Sequence, residues 1–281
     1  MTQRASHEDG TEARLVAAAI GDTVFAAAVS SRAIHRSVQG QDQLKPWVEV
    51  RTPIAAMAAA GGMVIVVSED GYVSGLEPSD AAEVVGVTVA ADAAEASADR
   101  RGVWALSANR QSLVHLNLDG HVDRRLTVDE VDRLAAAEHG VWYTTRNDSY
   151  LRFVGMDSDA VERIDIGVPA ERRGGLAPCR LGVWVSVENG LLLVPERGRR
   201  DVRQMADPPG APVRNLLCVR TGLVGGDQLD GLFMLNFGLD DSVRRLPTGR
   251  SGQVDALVTD GQATWAVGRP EGIPIAIRLG Q

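Results

Sequence analysis

Lysine is almost absent from this chain. Of its 29 basic residues only Lys45 is lysine, a bias that reads as genome composition rather than chemistry. Basic charge is short overall: the net charge is −8, which argues against non-specific binding to nucleic acid or to anionic lipid, both of which need a basic surface. Aromatic residues make up only 4% of the chain, so its core must rest on many small aliphatic contacts. Long apolar runs are missing as well. The longest, residues 54–67, holds two glycines and falls short of the roughly 20 residues that a membrane span needs. Residues 1–13 show no basic start followed by an apolar stretch, so no export signal is expected. Cysteine is limited to Cys179 and Cys218, which lie in equivalent parts of successive repeats. Without an export signal they are expected to be free thiols, and the protein is expected to be cytoplasmic.

What the chain has is repetition. Gly102-Val103-Trp104, Gly140-Val141-Trp142 and Gly182-Val183-Trp184 recur about forty residues apart. Looser copies stand at Thr23-Val24-Phe25, Gly62-Met63-Val64, Gly222-Leu223-Val224 and Ala263-Thr264-Trp265. A period in this range marks a repeat architecture. Within one repeat, residues 131–138 are short and apolar, 141–145 are rich in β-branched and aromatic residues, and 150–154 and 161–166 alternate. Arg146-Asn147-Asp148-Ser149 supplies turn chemistry between them. First strands are expected likewise at 14–19, 54–59, 93–98, 174–179, 213–219 and 254–259. The hydrophobic period is two throughout, so very little helix is expected. One four-stranded sheet cannot bury both of its faces, whereas seven arranged radially can. The expected fold is therefore an all-β, seven-bladed β-propeller of four-stranded antiparallel blades, occupying residues 1–281 as one domain. A linear β-solenoid fits less well, because its repeats are usually shorter and hairpin turns do not suit it. The last blade is expected either to have three strands or to be closed by the N-terminus. Alanines in the first strands, as in Ala135-Ala136-Ala137, suit a crowded central channel.

The segments Gly102–Leu106 with Leu113–Gly120, Gly140–Thr145, and Gly182–Val187 with Gly190–Val194 resemble the streptogramin (virginiamycin B) lyase family and related NHL-type propellers. The resemblance implies the propeller fold, with the glycine opening the second strand and the tryptophan packing between blades. In the lyases it implies catalytic histidines and an acidic magnesium site in the late repeats. In this chain no histidine follows His139, so the catalytic histidines are not matched and the likeness carries the fold alone.

No phosphate loop, nucleophile elbow, Cys-x-x-Cys or paired-histidine metal spacing occurs, so no cofactor and no metal are expected. The polar residues that remain fall in the turns after second strands and in the connections into first strands, which share one face of a propeller. The densest group comprises Arg146, Asp148, Arg172, Arg173 and Glu188, with Asp129 nearby and Tyr143 and Tyr150 flanking the turn. Its guanidinium forks suit a carboxylate or phosphate. This pattern points to a non-catalytic binding or scaffold module that takes a polar small molecule or a protein partner at the channel mouth. The alternative is a lyase-, hydrolase- or cyclase-type enzyme using carboxylate and tyrosine acid–base groups at that mouth. The proline-rich connection 205–215 adds a candidate loop on the same face, and Arg197, Arg199, Arg200 and Arg203 form a basic cluster on the opposite one.

Overall fold

The computed structural model describes residues 14–39, 41–89, 92–180, 182–188, 190–195, 203–206, 212–227, 231–237, 243–246, 254–269 and 273–279. These residues form strands in groups of four that follow the repeats. The first group is β1–β4, at Leu15–Ile20, Thr23–Ala28, Ala33–Val38 and Gln41–Glu49. Next come β5–β8 at Ile54–Ala60, Met63–Ser68, Tyr72–Leu76 and Glu83–Thr88, then β9–β12 at Glu95–Ala98, Gly102–Leu106, Ser112–Asn117 and Val122–Thr127. β13–β16 occupy Val131–Ala137, Gly140–Thr145, Tyr150–Gly155 and Val161–Asp165. A 3-10 turn, Ala170–Arg172, precedes β17–β20 at Arg173–Cys179, Gly182–Val187, Gly190–Pro195 and Arg203–Ala206. β21–β24 follow at Asn215–Val219, Gly222–Asp227, Gly231–Asn236 and Val243–Leu246, and β25–β27 at Ala256–Thr259, Thr264–Gly268 and Ile275–Leu279.

All pairings are antiparallel. Among the described residues, five sheets have four strands, and the sixth has seven in the order β1-β2-β3-β4-β27-β26-β25. The seven-stranded sheet is joined at its middle by one residue pair, Ile275↔Gln43, with Leu44 N–H donating to the Pro274 carbonyl at 3.1 Å. The strand that meets β27 is thus β4, while residues 1–12, expected as a possible closing strand, lie outside the described residues.

The sheets pack face on face, and the repeat motif explains how. Trp104 packs with Val131, Leu134 and Val141 of the next sheet, and Trp142 with Leu176, Val183 and Val185. Trp184 packs with Val213, Leu216 and Leu223, and Trp265 returns to Leu15, Ala17 and Val24 at the start of the chain. Each first strand touches the next one, and β25 touches β1, so the contacts close on themselves. The result is a β-propeller. Alanines of the first strands, among them Ala17, Ala56, Ala135 and Ala177, line the channel at its axis.

The cysteines depart from the sequence expectation. Cys179 and Cys218 form a disulfide, with Cα atoms 5.6 Å apart, and among the described residues no cysteine is free. Cys179 ends β17 and Cys218 is the penultimate residue of β21; these are neighbouring first strands, so a separation of one repeat places the two side chains side by side.

Candidate functional site

Among the described residues, backbone hydrogen bonds tie turns after second strands to connections into first strands. Arg146 N–H donates to Glu130 O at 3.1 Å, and Glu188 N–H to Arg172 O at 3.0 Å. These turns and connections therefore share one face, as the topology requires.

The residues singled out by the sequence separate there into three arrangements. In the first, Asp148 caps its own turn, accepting from Tyr150 N–H at 3.0 Å and from the Thr145 hydroxyl at 3.2 Å. Arg152 of β15 grips both of its oxygens, one at 3.0 Å through Nη1 and the other through Nη2. Arg152 is only 3% exposed, lies 3.9 Å from Asp129, and stacks over Tyr143 and Tyr150 at 6.0 and 5.9 Å. The grip of Arg152 holds the Asp148 carboxyl down at about 2. Tyr143 is buried, and burial raises its hydroxyl, so it supplies core contact rather than a wall of an open pocket. The second arrangement is a pair of rim ion pairs, Arg146–Glu130 at 2.9 Å and Arg172–Glu188 at 3.3 Å, all four side chains well exposed. In the third, Arg173 stands apart from both: it is buried, donates to Thr145 O at 2.7 Å, and leaves Nε and Nη1 without a partner. Arg152 escaped the sequence reading because it lies inside β15 and not in the turn, although Asp148 stands only four residues before it.

Closer to the axis lies a cavity of about 480 Å³ lined by Arg14, Arg110, Arg133, Arg214, Glu95, Ser30 and Asn215, with Val29, Ala55 and Ala94. Glu95 pairs with Arg110 at 3.0 Å, and Arg110 also donates to the carbonyls of Val131 and Asp132 at 2.5 and 2.7 Å. Burial pushes the Glu95 carboxyl up, against the pull of Arg110, Arg133 and Arg14. Arg133 donates to the Asp132 carbonyl at 3.0 Å and to its carboxylate at 3.3 Å. Arg214 and Asn215 end the 205–215 connection noted in the sequence, but the sequence reading did not bring these residues together as one group. The available signal was a charged residue at the start of an alanine-rich first strand, where a side chain faces the axis.

The histidines do not gather. His115 lies buried in β11, its Nδ1 2.6 Å from Asp123 and its Nε2 3.7 Å from Asp99, beside Trp104. Burial works against its charge, but the two aspartates outweigh that and raise it. His139 lines the other end of the channel, with Arg100, Glu138, Arg180 and the disulfide. Much of the 205–215 connection and the arginines at 197, 199 and 200 lie outside the described residues.

No protein-family model matches the chain, and no curated protein matches it in sequence. Its fold is similar to solved structures. The WD40 domain of Pan2 from Neurospora crassa superposes with a TM-score of 0.71 over 98% of this chain and 92% of that one, at 9% identity. A chain of a mitotic checkpoint complex gives 0.68 over 100% and 98%, at 10% identity. BamB from Moraxella catarrhalis gives 0.57 over 94% and 82%, at 15% identity. At such identities the likeness is one of fold.

Proposed function

We propose that the chain is a single seven-bladed β-propeller acting as a non-catalytic binding or scaffold module, which receives a protein partner at the channel mouth. On this reading the seven-stranded sheet is two blades, one of four strands and one of three, joined where β4 meets β27. The observation that carries the binding reading is the state of the acids on that face. Asp148, Glu130, Glu188 and Glu95 are each paired with an arginine. Carboxylates held in this way are poor general bases, whereas paired charge around a cavity gives a partner orientation and register. One structural neighbour belongs to a checkpoint complex, which supports a protein as the partner. The likeness to streptogramin lyase and NHL propellers rests on the Gly-Val-Trp positions and lends no activity.

The enzyme reading has one observation in its favour, the raised carboxyl of Glu95 inside a cavity. The compartment belongs with this proposal. The sequence expectation of a cytoplasmic protein, like that of free thiols, leaned on the lack of an export signal in residues 1–13, and a bonded Cys179–Cys218 pair favours an oxidising setting. Thiol trapping on protein taken directly from its own cells decides it: one blocked disulfide supports that setting, and two alkylated thiols return the protein to the cytoplasm.

A photo-crosslinking residue placed at Arg146 or Arg172 is expected to capture a discrete partner, and one at Val84 on the outer strand β8 is not. Crosslinks confined to Val84 would move the interface off the mouth.

A further inference from the structure

We propose that the mouth cavity binds a multivalent anion, gripped by Arg14, Arg133 and Arg214, with the Arg110–Glu95 pair as its fixed wall. The inference rests on the mouth being the binding face and names the chemistry of what enters it.

The first support is local charge. A chain of net charge −8 lines this one cavity with four arginines and a single glutamate. The glutamate is committed to Arg110, which is itself held by two carbonyls. Those bonds anchor the pair, so it shapes the cavity without competing for a ligand.

The second support is availability. Among the described residues, no hydrogen bond and no ion pair within 4.0 Å engages the side chain of Arg14 or Arg214, although the Arg14 carbonyl accepts from Val29 N–H at 2.9 Å. Arg133 spends only Nη1, on Asp132, and keeps its remaining donors. A guanidinium offers five donors in a planar fork suited to carboxylate or phosphate oxygens. Here three such groups are left with unused donors around one space.

The third support is geometry. Arg14 directly precedes β1, Arg133 lies in β13, and Arg214 directly precedes β21. Around the axis β5 and β9 lie between β1 and β13, β17 lies between β13 and β21, and β25 lies between β21 and β1, so the arginines approach the axis from different sides. Below them the channel is narrowed by Leu15, Ala17, Ala56 and Ala177, and the buried Asp255 also stands in its lining. The volume, about 480 Å³, fits a small polycarboxylate or a few acidic side chains.

The anion can be free or displayed on a partner, and two probes separate these sources: citrate and a tetra-aspartate peptide, each titrated calorimetrically into the whole protein at low salt. Saturable one-to-one binding of either supports the proposal; preference for citrate assigns a free anion and preference for the peptide a displayed one. Arg14→Ser and Arg214→Ser are each expected to weaken binding by about tenfold, with unchanged unfolding midpoints, because neither side chain holds the fold. Lysine at either position should recover part of the loss. Glu95→Gln should tighten binding, and Arg100→Ser, at the opposite mouth, should leave it unchanged. Absence of saturable heat with both probes, or binding by the two serine variants as tight as by the parent, overturns the inference. If a partner crosslinks at the mouth while neither probe binds, the anion site falls and the binding-module reading stands.

Discussion

Arg152 holds more of the candidate region together than any residue chosen from the sequence. It is almost wholly buried and answers Asp148, Asp129 and two tyrosine rings. Replacing it with alanine leaves Asp148 unpaired beside the core, and a loss of about 3 kcal/mol is expected in urea unfolding. Acid should act on the same pair. Asp148 is held at about 2 against an ordinary 3.8, so its contribution, at most about 2 kcal/mol, is complete above 3.8 and lost as pH falls through about 2. His115 works in the opposite sense. Its folded value is raised above the ordinary 6.5, so its contribution is complete below 6.5 and lost as pH rises through the raised value. His115→Gln should remove that decline from a stability-against-pH curve while leaving the acid limb in place. Arg173 is buried with two nitrogens unpartnered, a cost that Arg173→Met should relieve, raising stability by about 1 kcal/mol in the free protein. A decrease on thermal or urea unfolding would mean that Arg173 has a partner of greater worth.

At the scale of the strand, the repeat glycine has a steric cause. A Cβ at Gly102, Gly140, Gly182 or Gly222 would overlap a backbone carbonyl of the adjoining third strand, that of Leu116, Val154, Val194 or Leu235. Gly140→Ala should therefore cost about 2 kcal/mol or more, measured against a nearby exposed control substitution. This constraint is why so much of the fold was legible: glycine, valine and tryptophan recur at β10, β14 and β18, looser copies mark the other second strands, and the strand bounds followed. One copy was read a residue out of step. Strand pairing puts Met63 where the glycine stands elsewhere, because Ala60↔Met63 matches Ala137↔Gly140, and Ile65 then takes the tryptophan's place. Gly61 and Gly62 serve the hairpin instead, with φ of 57° and 78°. The candidate site was less legible. Turn acids announce themselves by composition, but Arg133 and Arg14 acquire meaning only through convergence on the axis. The disulfide left a trace, two cysteines one repeat apart, that the reading of redox compartment overrode. Cys218→Ser should lower stability by about 4 kcal/mol, the entropy of closing a loop with a sequence separation of 39, and a reductant should do the same to the parent protein.

Across the whole molecule, the joint between β4 and β27 is where the two ends of the chain meet. Its ladder is a single pair, backed by Leu44 packed with Trp265, Ala276 and Leu15. Leu44→Ala should cost about 3 kcal/mol, and hydrogen exchange should then show β4 and β27 losing protection before β14 does. The covalent cross-link lies elsewhere, between β17 and β21, and it encloses β18, β19 and β20 within its loop. Pulled apart by its termini, the molecule should peel open at the β4–β27 joint, while tension passes through sulfur from β17 to β21 and bypasses the strands between. The fully stretched length should fall short of that of the reduced chain by about 130 Å, a step visible in a single-molecule extension trace.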